Sequence, residues 1–471
     1  MTFPRLWAAL AVVLPVLAAF IANLSSVDLA YHLRAGGSIL DGGGIPRVDT
    51  YTFTAAGLPW LDQQWGAQVV LAAAYRVGGW TGLVVLRGLL IGLLFGFLFL
   101  ACRLRGADVR RAAWLTLAAF VVSAVALGLR PQLFGMVLLA ATLVIVAGRR
   151  RWPRLIWAVP VVVAVWANLH GSFFLGPVVL GLAWLEDLHD RAPTARWTLA
   201  AAVVSAVAAL VTPFGPEVWA YAVGLSTNAE VTKRITEWQP TSLRTIPGML
   251  FFGSALAVAA VVARRADRVS WPTLAWLAFF FVIGAYAIRG VAWWPIGAAF
   301  AVAGLLARPE PAERPLKAGP TRLNALIVAI LAVAILVLLP AWRSTDPGLQ
   351  APSGVVGNAP PGVTAALREL GASGQRIFNP QPWGSWFEFA LPDAKVAIDS
   401  RIEVFPPEVW DDYQAVVDGT DGWQAILARW GVTLVVADAD EDAFVARLRA
   451  AGLGEVYADD DAVVFTTAIG D

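Results

Sequence analysis

Apolar runs long enough to cross a bilayer recur through the first 342 residues. A transmembrane helix needs roughly 20 apolar residues, with about 17–25 the usual range. Eight runs meet that length: Leu6–Leu24, Gly82–Cys102, Ala112–Leu129, Pro131–Gly148, Pro247–Ala263, Trp271–Ile288, Gly290–Ala307 and Leu323–Trp342. Three shorter runs, Leu155–Leu169, Ser172–Leu185 and Thr198–Thr212, are ambiguous by length alone, and counting them gives eleven crossings. Arg5 precedes the first run, but no small-residue cleavage site follows it before Asp28, so it reads as a retained helix rather than a signal peptide.

Beyond Pro340 the pattern changes. Arg376-Ile-Phe-Asn, Lys395-Val-Ala-Ile-Asp and Val432-Thr-Leu-Val-Val-Ala are short runs rich in strand formers. Helical patterns lie between and after them at Trp383–Ala390, Pro407–Val417, Gly422–Trp430 and Asp442–Ala451. Glu455-Val-Tyr-Ala and Ala462-Val-Val-Phe-Thr-Thr, separated by Asp459-Asp460-Asp461, read as a closing hairpin. Alternating strands and helices predict a mostly parallel sheet. The predicted fold class is an α-helical polytopic membrane protein, N-terminus inside and C-terminus outside, with a C-terminal extracytoplasmic α/β domain. Its parts are a transmembrane domain (1–342) with a long first outer loop (25–81), a Pro/Gly-rich linker (343–361) and the α/β domain (362–471).

Composition agrees with that division. The chain is 58% hydrophobic and 15% charged, against about 45–50% and about 25% for soluble domains. A net charge of +1 hides an asymmetry: residues 1–342 carry 27 Lys+Arg against 14 Asp+Glu, and residues 343–471 carry 8 against 20. With eleven spans, the basic clusters around Arg103–Arg111, Arg149–Arg154, Arg191–Arg196, Arg264–Arg268 and Arg308–Arg322 fall on one side. The opposite connections at Arg130, Asn168–Gly171 and Arg289 are nearly bare, as the positive-inside rule requires. One cysteine, Cys102, excludes a disulfide framework and a cysteine zinc site. The basic residues are membrane anchors, and nothing indicates nucleic acid.

Candidate chemistry gathers on the outer side. Asp28 and His32 are four residues apart, hence on one face of a helix that starts where the chain leaves the membrane. Such a pair serves as general base or metal ligand, or else Ser25-x-x-Asp28 is a capping box. Asp49 and Asp62 are further acids of the loop, each also suited to a turn or cap. Asn168 and His170, in the turn of the short hairpin, are polar groups at the membrane boundary, where function is the default hypothesis. Glu237 beside Trp238 and Gln239 suits sugar contact, and Trp238 equally suits the bilayer interface. Arg289, with Trp293 and Trp294 nearby, can hold a lipid phosphate through its planar donors or snorkel to head groups. Arg87 lies inside an apolar run and calls for an acidic partner or a cavity. Asp399-Ser-Arg401 and Asn379-Pro-Gln-Pro-Trp383-Gly384 follow strand ends, as ligand-binding segments and structural turns both do.

Asp28 after the first helix, Pro46-Arg47-x-Asp49, Trp60-x-Asp62-x-x-Trp65 and the many later spans together resemble the GT-C superfamily of integral membrane glycosyltransferases. That superfamily includes protein O-mannosyltransferases and lipid A aminoarabinose transferases. Asp28…His32, Trp166-Ala-Asn168-Leu-His170-Gly171 and Glu237-Trp238-Gln239 are similar to motifs of a bacterial subgroup. A single Asp, rather than an acidic pair, follows the first helix. The resemblance implies inverting transfer of a sugar from a polyprenyl-phosphate donor to an envelope glycan, lipid or protein acceptor. It places the reaction on the outer face of a bacterial cytoplasmic membrane. Asp28 would be base or, with His32, ligand of a divalent ion such as magnesium or manganese. Asp49, Asp62, Asn168, His170, Glu237 and Arg289 would bind substrate. Two other classes stay open: a non-catalytic envelope glycan- or partner-binding protein on this scaffold, and a transporter of lipid-linked substrates.

Overall fold

The computed structural model describes residues 1–24, 27–227, 234, 236–307 and 321–467. Ser25 of the capping-box pattern, and Arg308, Arg314 and Lys317 of one basic loop, lie outside the described residues. The chain forms two compact units. One comprises Met1–Ala22 and Val84–Leu339, the other Asn23–Leu83 and Pro340–Asp471.

The first unit is helical. Among the described residues seven helices are long and apolar enough to cross a membrane: Phe3–Ile21, Trp65–Leu104, Val109–Ala126, Pro131–Gly148, Gly171–His189, Ile246–Arg264 and Ile288–Leu305. Four shorter apolar helices, Pro153–Trp166, Ala195–Ala208, Trp271–Tyr286 and Arg322–Val337, fall on the other predicted runs. Two runs that look long enough by sequence are therefore short as helices. Trp271–Tyr286 stops because Ala287 is extended (φ −149°, ψ 146°), and Arg322–Val337 stops three residues before Pro340. Helix Trp65–Leu104 is broken at Gly79, whose φ of +56° an L-residue avoids. The break separates the amphipathic stretch near Gln64–Arg76 from the apolar run Gly82–Cys102. The helices Pro131–Gly148 and Ile288–Leu305 are central, with 78% and 83% of their spanning windows buried.

Arg87 finds a partner of another kind than an acid. Its guanidinium donates to the Ala22 carbonyl at 2.5 Å and to the Ala19 carbonyl. These carbonyls end helix Phe3–Ile21, where the helix dipole is negative and the last C=O groups lack intrahelical donors. Several basic residues that carry the topology signal also hold helices together. Arg149 binds Asp187 (2.9 Å) and Glu186 (3.0 Å), and Arg105 grips Glu186 with two hydrogen bonds. Thr194 and Thr198 hydroxyls donate to Asp187 as well.

The second unit is α/β. After a small hairpin, β1 (Thr345–Asp346) with β2 (Ala351–Pro352), comes a five-stranded sheet. Its strands are β3 (Arg376–Phe378), β4 (Lys395–Val396), β5 (Leu434–Asp438), β6 (Gly454–Ala458) and β7 (Ala462–Thr466), in the order β4-β3-β5-β7-β6. β3 pairs in parallel with β4 and β5, whereas β7 is antiparallel to β5 and β6. The sheet is thus mixed rather than mostly parallel, because the terminal hairpin returns directly against β5. Helix Pro361–Glu369, absent from the sequence reading, precedes β3. The apolar core lies beneath this sheet around Phe378, Val435, Leu427, Phe444 and Phe465.

The loop between the first two spans belongs to this unit. Thr52 bridges to Val396 in parallel, the Phe53 N–H donates to the Val396 carbonyl at 3.1 Å, and Lys395 Nζ donates to the Thr50 carbonyl at 2.8 Å. The loop therefore covers the β4 edge, which would otherwise present unpaired backbone groups. Phe53 packs on the sheet core.

Candidate active site

In the α/β unit Asp28 stands immediately before helix Leu29–Ser38 and makes no side-chain cap hydrogen bond to it. The His32 N–H donates to the Asp28 carbonyl at 3.2 Å, which sets the two residues one turn apart. His32 is 1% exposed, and its ring lies 4.1 Å from that of Tyr31. Helix Leu29–Ser38 is held from two sides. Arg34 donates to the Glu388 and Pro392 carbonyls, both at 2.9 Å. Gly36 lies so close to the following helix that a Cβ there would be 2.0 Å from the Gln68 carbonyl oxygen.

Arg401, a fully buried guanidinium, gathers Asp49 of the loop together with Asp399 and Glu388. Asp49 accepts from Arg401 Nη2 at 2.6 Å, from the Thr52 hydroxyl at 2.7 Å and from the Tyr51 and Thr52 N–H groups. Asp399 accepts from Arg401 Nε at 2.8 Å and also meets Nη2. Glu388 is 3.9 Å from the same guanidinium. The rings of Trp60, Tyr51 and Tyr31 face it at 4.5, 4.9 and 5.8 Å. With three carboxyls around one cation, burial and then the Asp399 charge push the Glu388 carboxyl well above its usual range. The Arg401 guanidinium, between Asp399, Glu388 and Asp49, is held firmly charged.

Asp62 is 3% exposed. Its Oδ1 accepts from Gln68 Nε2 at 2.7 Å, while Oδ2 has no hydrogen-bond partner among the described residues. Burial pushes its pKa up to about 7, against the lowering pull of Gln68 and Arg401. Glu403 keeps solvent access and feels the charges of Arg401, Asp399 and Asp28. Glu403 escaped the sequence reading; its only signal was its place two residues after Asp399-Ser-Arg401. Asp28 and His32 supply two potential metal ligands, and no group of three His, Cys, Asp or Glu placed to hold an ion occurs among the described residues.

In the helical unit Glu237, Arg289 and His170 cluster around the start of the central helix Pro131–Gly148. Arg130, the residue before that helix, donates to Glu237 at 2.6 Å. Arg289 approaches Glu237 at 4.0 Å and lies over the Trp238 ring at 5.3 Å. The Glu237-Trp238-Gln239 segment is pinned beside Arg289, because the Ile288 N–H donates to the Gln239 carbonyl at 3.0 Å. Gln132 Nε2 donates to the Arg289 carbonyl at 3.3 Å. One turn on, Gly135 leaves room for His170, whose Nδ1 would be 3.3 Å from a Cβ there. His170 Nδ1 accepts from the Ser172 N–H at 3.1 Å and meets the Ser172 hydroxyl at 2.7 Å, and its ring is 6.2 Å from that of Trp293. Asn168 spends both amide hydrogens on backbone, donating to the Ala164 and Val211 carbonyls at 2.8 Å. Arg130 is the member that sequence reasoning treated only as a loop charge.

No protein-family model matches the sequence, and no curated protein matches it. Solved structures do. The neighbours are membrane glycosyltransferases of the GT-C superfamily, and the chain has their fold. One is the oligosaccharyltransferase AglB of Archaeoglobus fulgidus, solved with an inhibitory peptide and a dolichol-phosphate: TM-score 0.55, 11% identity, covering 98% of this chain and 74% of that one. The apo form of the Archaeoglobus fulgidus oligosaccharyltransferase matches at TM-score 0.53 with the same identity and coverage. Another is arabinofuranosyltransferase AftD from Mycobacteria: TM-score 0.57, 17% identity, covering 99% of this chain and 42% of that one. The helices long and apolar enough to cross a membrane agree with the multi-pass membrane architecture predicted from the apolar runs.

Proposed function

We propose that this protein is a membrane glycosyltransferase that moves a sugar from a polyprenyl-phosphate donor to an acceptor hydroxyl, with inversion. The reaction takes place on the outer face of a bacterial cytoplasmic membrane, and the acceptor is an envelope glycan, lipid or protein. The observation that carries this reading is the fold, shared with GT-C glycosyltransferases over 98–99% of the chain, with Asp28 opening the first helix after the first span.

Asp28 takes the proton of the acceptor hydroxyl. The acceptor oxygen bonds to the anomeric carbon from the face opposite the leaving group, the bond from that carbon to the phosphate oxygen breaks, and polyprenyl phosphate leaves with the electron pair. General-base catalysis of this kind contributes about 10²–10⁴-fold. His32 and the helix that carries it position Asp28. Asp49 and Asp62, both internal, support the loop rather than touch substrate. Arg289 binds the donor phosphate through charge-assisted hydrogen bonds. His170 is the candidate sugar-binding residue of the helical unit, and Asn168 braces its turn.

The test compares envelope glycans of deletion, wild-type and Asp28→Asn strains. Asn caps a helix about as well as Asp but cannot accept the acceptor proton. A base at Asp28 predicts a normally inserted variant with transfer reduced by at least about 100-fold. Full restoration of a glycan lost on deletion would remove Asp28 from the chemistry and favour a non-catalytic glycan-binding protein on this scaffold.

A further inference from the structure

Arg130 and Arg289 stand at the N-terminal ends of the two most buried spanning helices, Pro131–Gly148 and Ile288–Leu305. A helix N-terminus carries partial positive charge, so a cation there is electrostatically adverse and an anion is favoured. Two arginines at two such ends make a site that needs negative charge. Glu237 supplies it, at 2.6 Å from Arg130 and 4.0 Å from Arg289. The two partners are not equally satisfied. Arg130 has a short, direct bond, whereas Arg289 Nε is buried without a hydrogen-bond partner among the described residues. Arg289 is held in place by other means: the ring of Trp238 under its guanidinium and the Gln132 and Gln239 bonds to its backbone segment. The Glu237 side chain is 41% exposed, so its pairing is open to competition from solvent and from other anions.

We propose that Glu237 is an exchangeable stand-in for a phosphate group: it offsets half the charge of the Arg130–Arg289 pair in the unliganded protein and yields when the phosphate of a lipid donor arrives. This rests on the reading of Arg289 as donor-binding and adds Arg130 as a second phosphate ligand and Glu237 as its internal competitor. A phosphate monoester presents three non-bridging oxygens against the two of a carboxylate, and the two of a diester are splayed tetrahedrally, so either can engage both planar guanidinium groups where Glu237 fully engages one. Glu237 is then a determinant of donor affinity and release rather than a sugar contact.

The test is equilibrium binding of decaprenyl monophosphate to full-length protein in lipid nanodiscs, with decaprenol and inorganic phosphate as parallel probes. Glu237→Gln removes the competing charge at constant shape, and binding of the lipid phosphate should tighten about three- to ten-fold. Arg130→Gln and Arg289→Gln should each weaken it by about ten-fold or more. Decaprenol binding should not change in any variant. Inorganic phosphate that competes at low millimolar concentration would assign the site to phosphate in general; failure to compete would assign it to the lipid-borne group, and the order of variants supports the exchange role in both cases. Unchanged or weaker lipid-phosphate binding in a Glu237→Gln protein of wild-type melting temperature overturns the proposal. Glu237→Ala, which lacks any polar group there, must show the same direction as Glu237→Gln, and opposite signs also overturn it. The two readings fail separately: Asp28→Asn with intact transfer leaves the anion exchange standing, and loss of transfer in Asp28→Asn does not rescue it.

Discussion

Arg401 and Asp49 lie 352 residues apart in sequence and meet at 2.6 Å with both side chains wholly buried. The pair joins the loop that follows the first span to the turn that follows β4, and it fixes the unit in which Asp28 sits. Removing one partner of such a pair leaves the other's charge buried without compensation, which typically costs about 3–5 kcal/mol.

Arg401→Met should therefore lower the melting temperature of the purified protein strongly, and Asp49→Asn less so, because the amide keeps part of the turn geometry. Glu388→Gln should cost less than Arg401→Met, since burial and the Asp399 charge already favour the protonated form of Glu388. A Glu388→Gln protein as unstable as Arg401→Met would refute this charge assignment. Thermal unfolding in one detergent at fixed pH reads all three.

Asp62 makes stability depend on pH. Its folded pKa is about 7, against about 3.9 when unfolded, so the folded state binds the extra proton and stability falls as pH rises from about 4 through 7. The full effect is on the order of 4 kcal/mol. Asp62→Asn should melt higher than wild type at pH 8, with the gap narrowing as pH is lowered and closing near pH 4. A gap independent of pH would show that Asp62 is ionised throughout.

Gly36→Ala tests how the helix carrying Asp28 is seated. Alanine favours a helix over glycine by about 1 kcal/mol, but its Cβ would lie 2.0 Å from the Gln68 carbonyl oxygen. Overpacking of this sort costs about 1–3 kcal/mol, so the variant should lose stability, and transfer should fall with it as Asp28 shifts. A Gly36→Ala protein more stable than wild type would mean the helices separate freely.

The charge bias predicts orientation. A reporter fused after Asp471 should be active only outside the cytoplasm, and one fused after Arg151 only inside. A cytosolic C-terminus would overturn the eleven-crossing reading.

Much of the fold was legible because local pattern determines it. Each apolar run is a helix, and β3, β5 and the β6–β7 hairpin stand where β-branched residues cluster. Pairings remote in sequence were not legible. Asp399-Ser-Arg401 looked like a strand-end turn, and nothing local says that its arginine meets Asp49. The partner of Arg87 was sought among acids, yet a helix end supplies backbone carbonyls that no residue letter records. Pro361–Glu369 was hidden by the Pro- and Gly-rich residues before it, although Val363 and Leu367, four apart and buried, form a helical stripe. At the site, the motif Glu237-Trp238-Gln239 was visible, but its bond to Arg130, 107 residues away, was not.

The docking of residues 50–54 onto the β4 edge also orders events during biosynthesis. At about 5–20 residues per second, the ribosome makes Asp49 some 20–70 s before Arg401. Through that interval the segment bearing Asp28 has neither its sheet edge nor its buried cation. The candidate base is thus among the first groups synthesised and among the last to be set in place. A nascent chain stopped short of Lys395 carries all seven long apolar helices found among the described residues, but lacks the β4 edge on which the Asp28 loop docks.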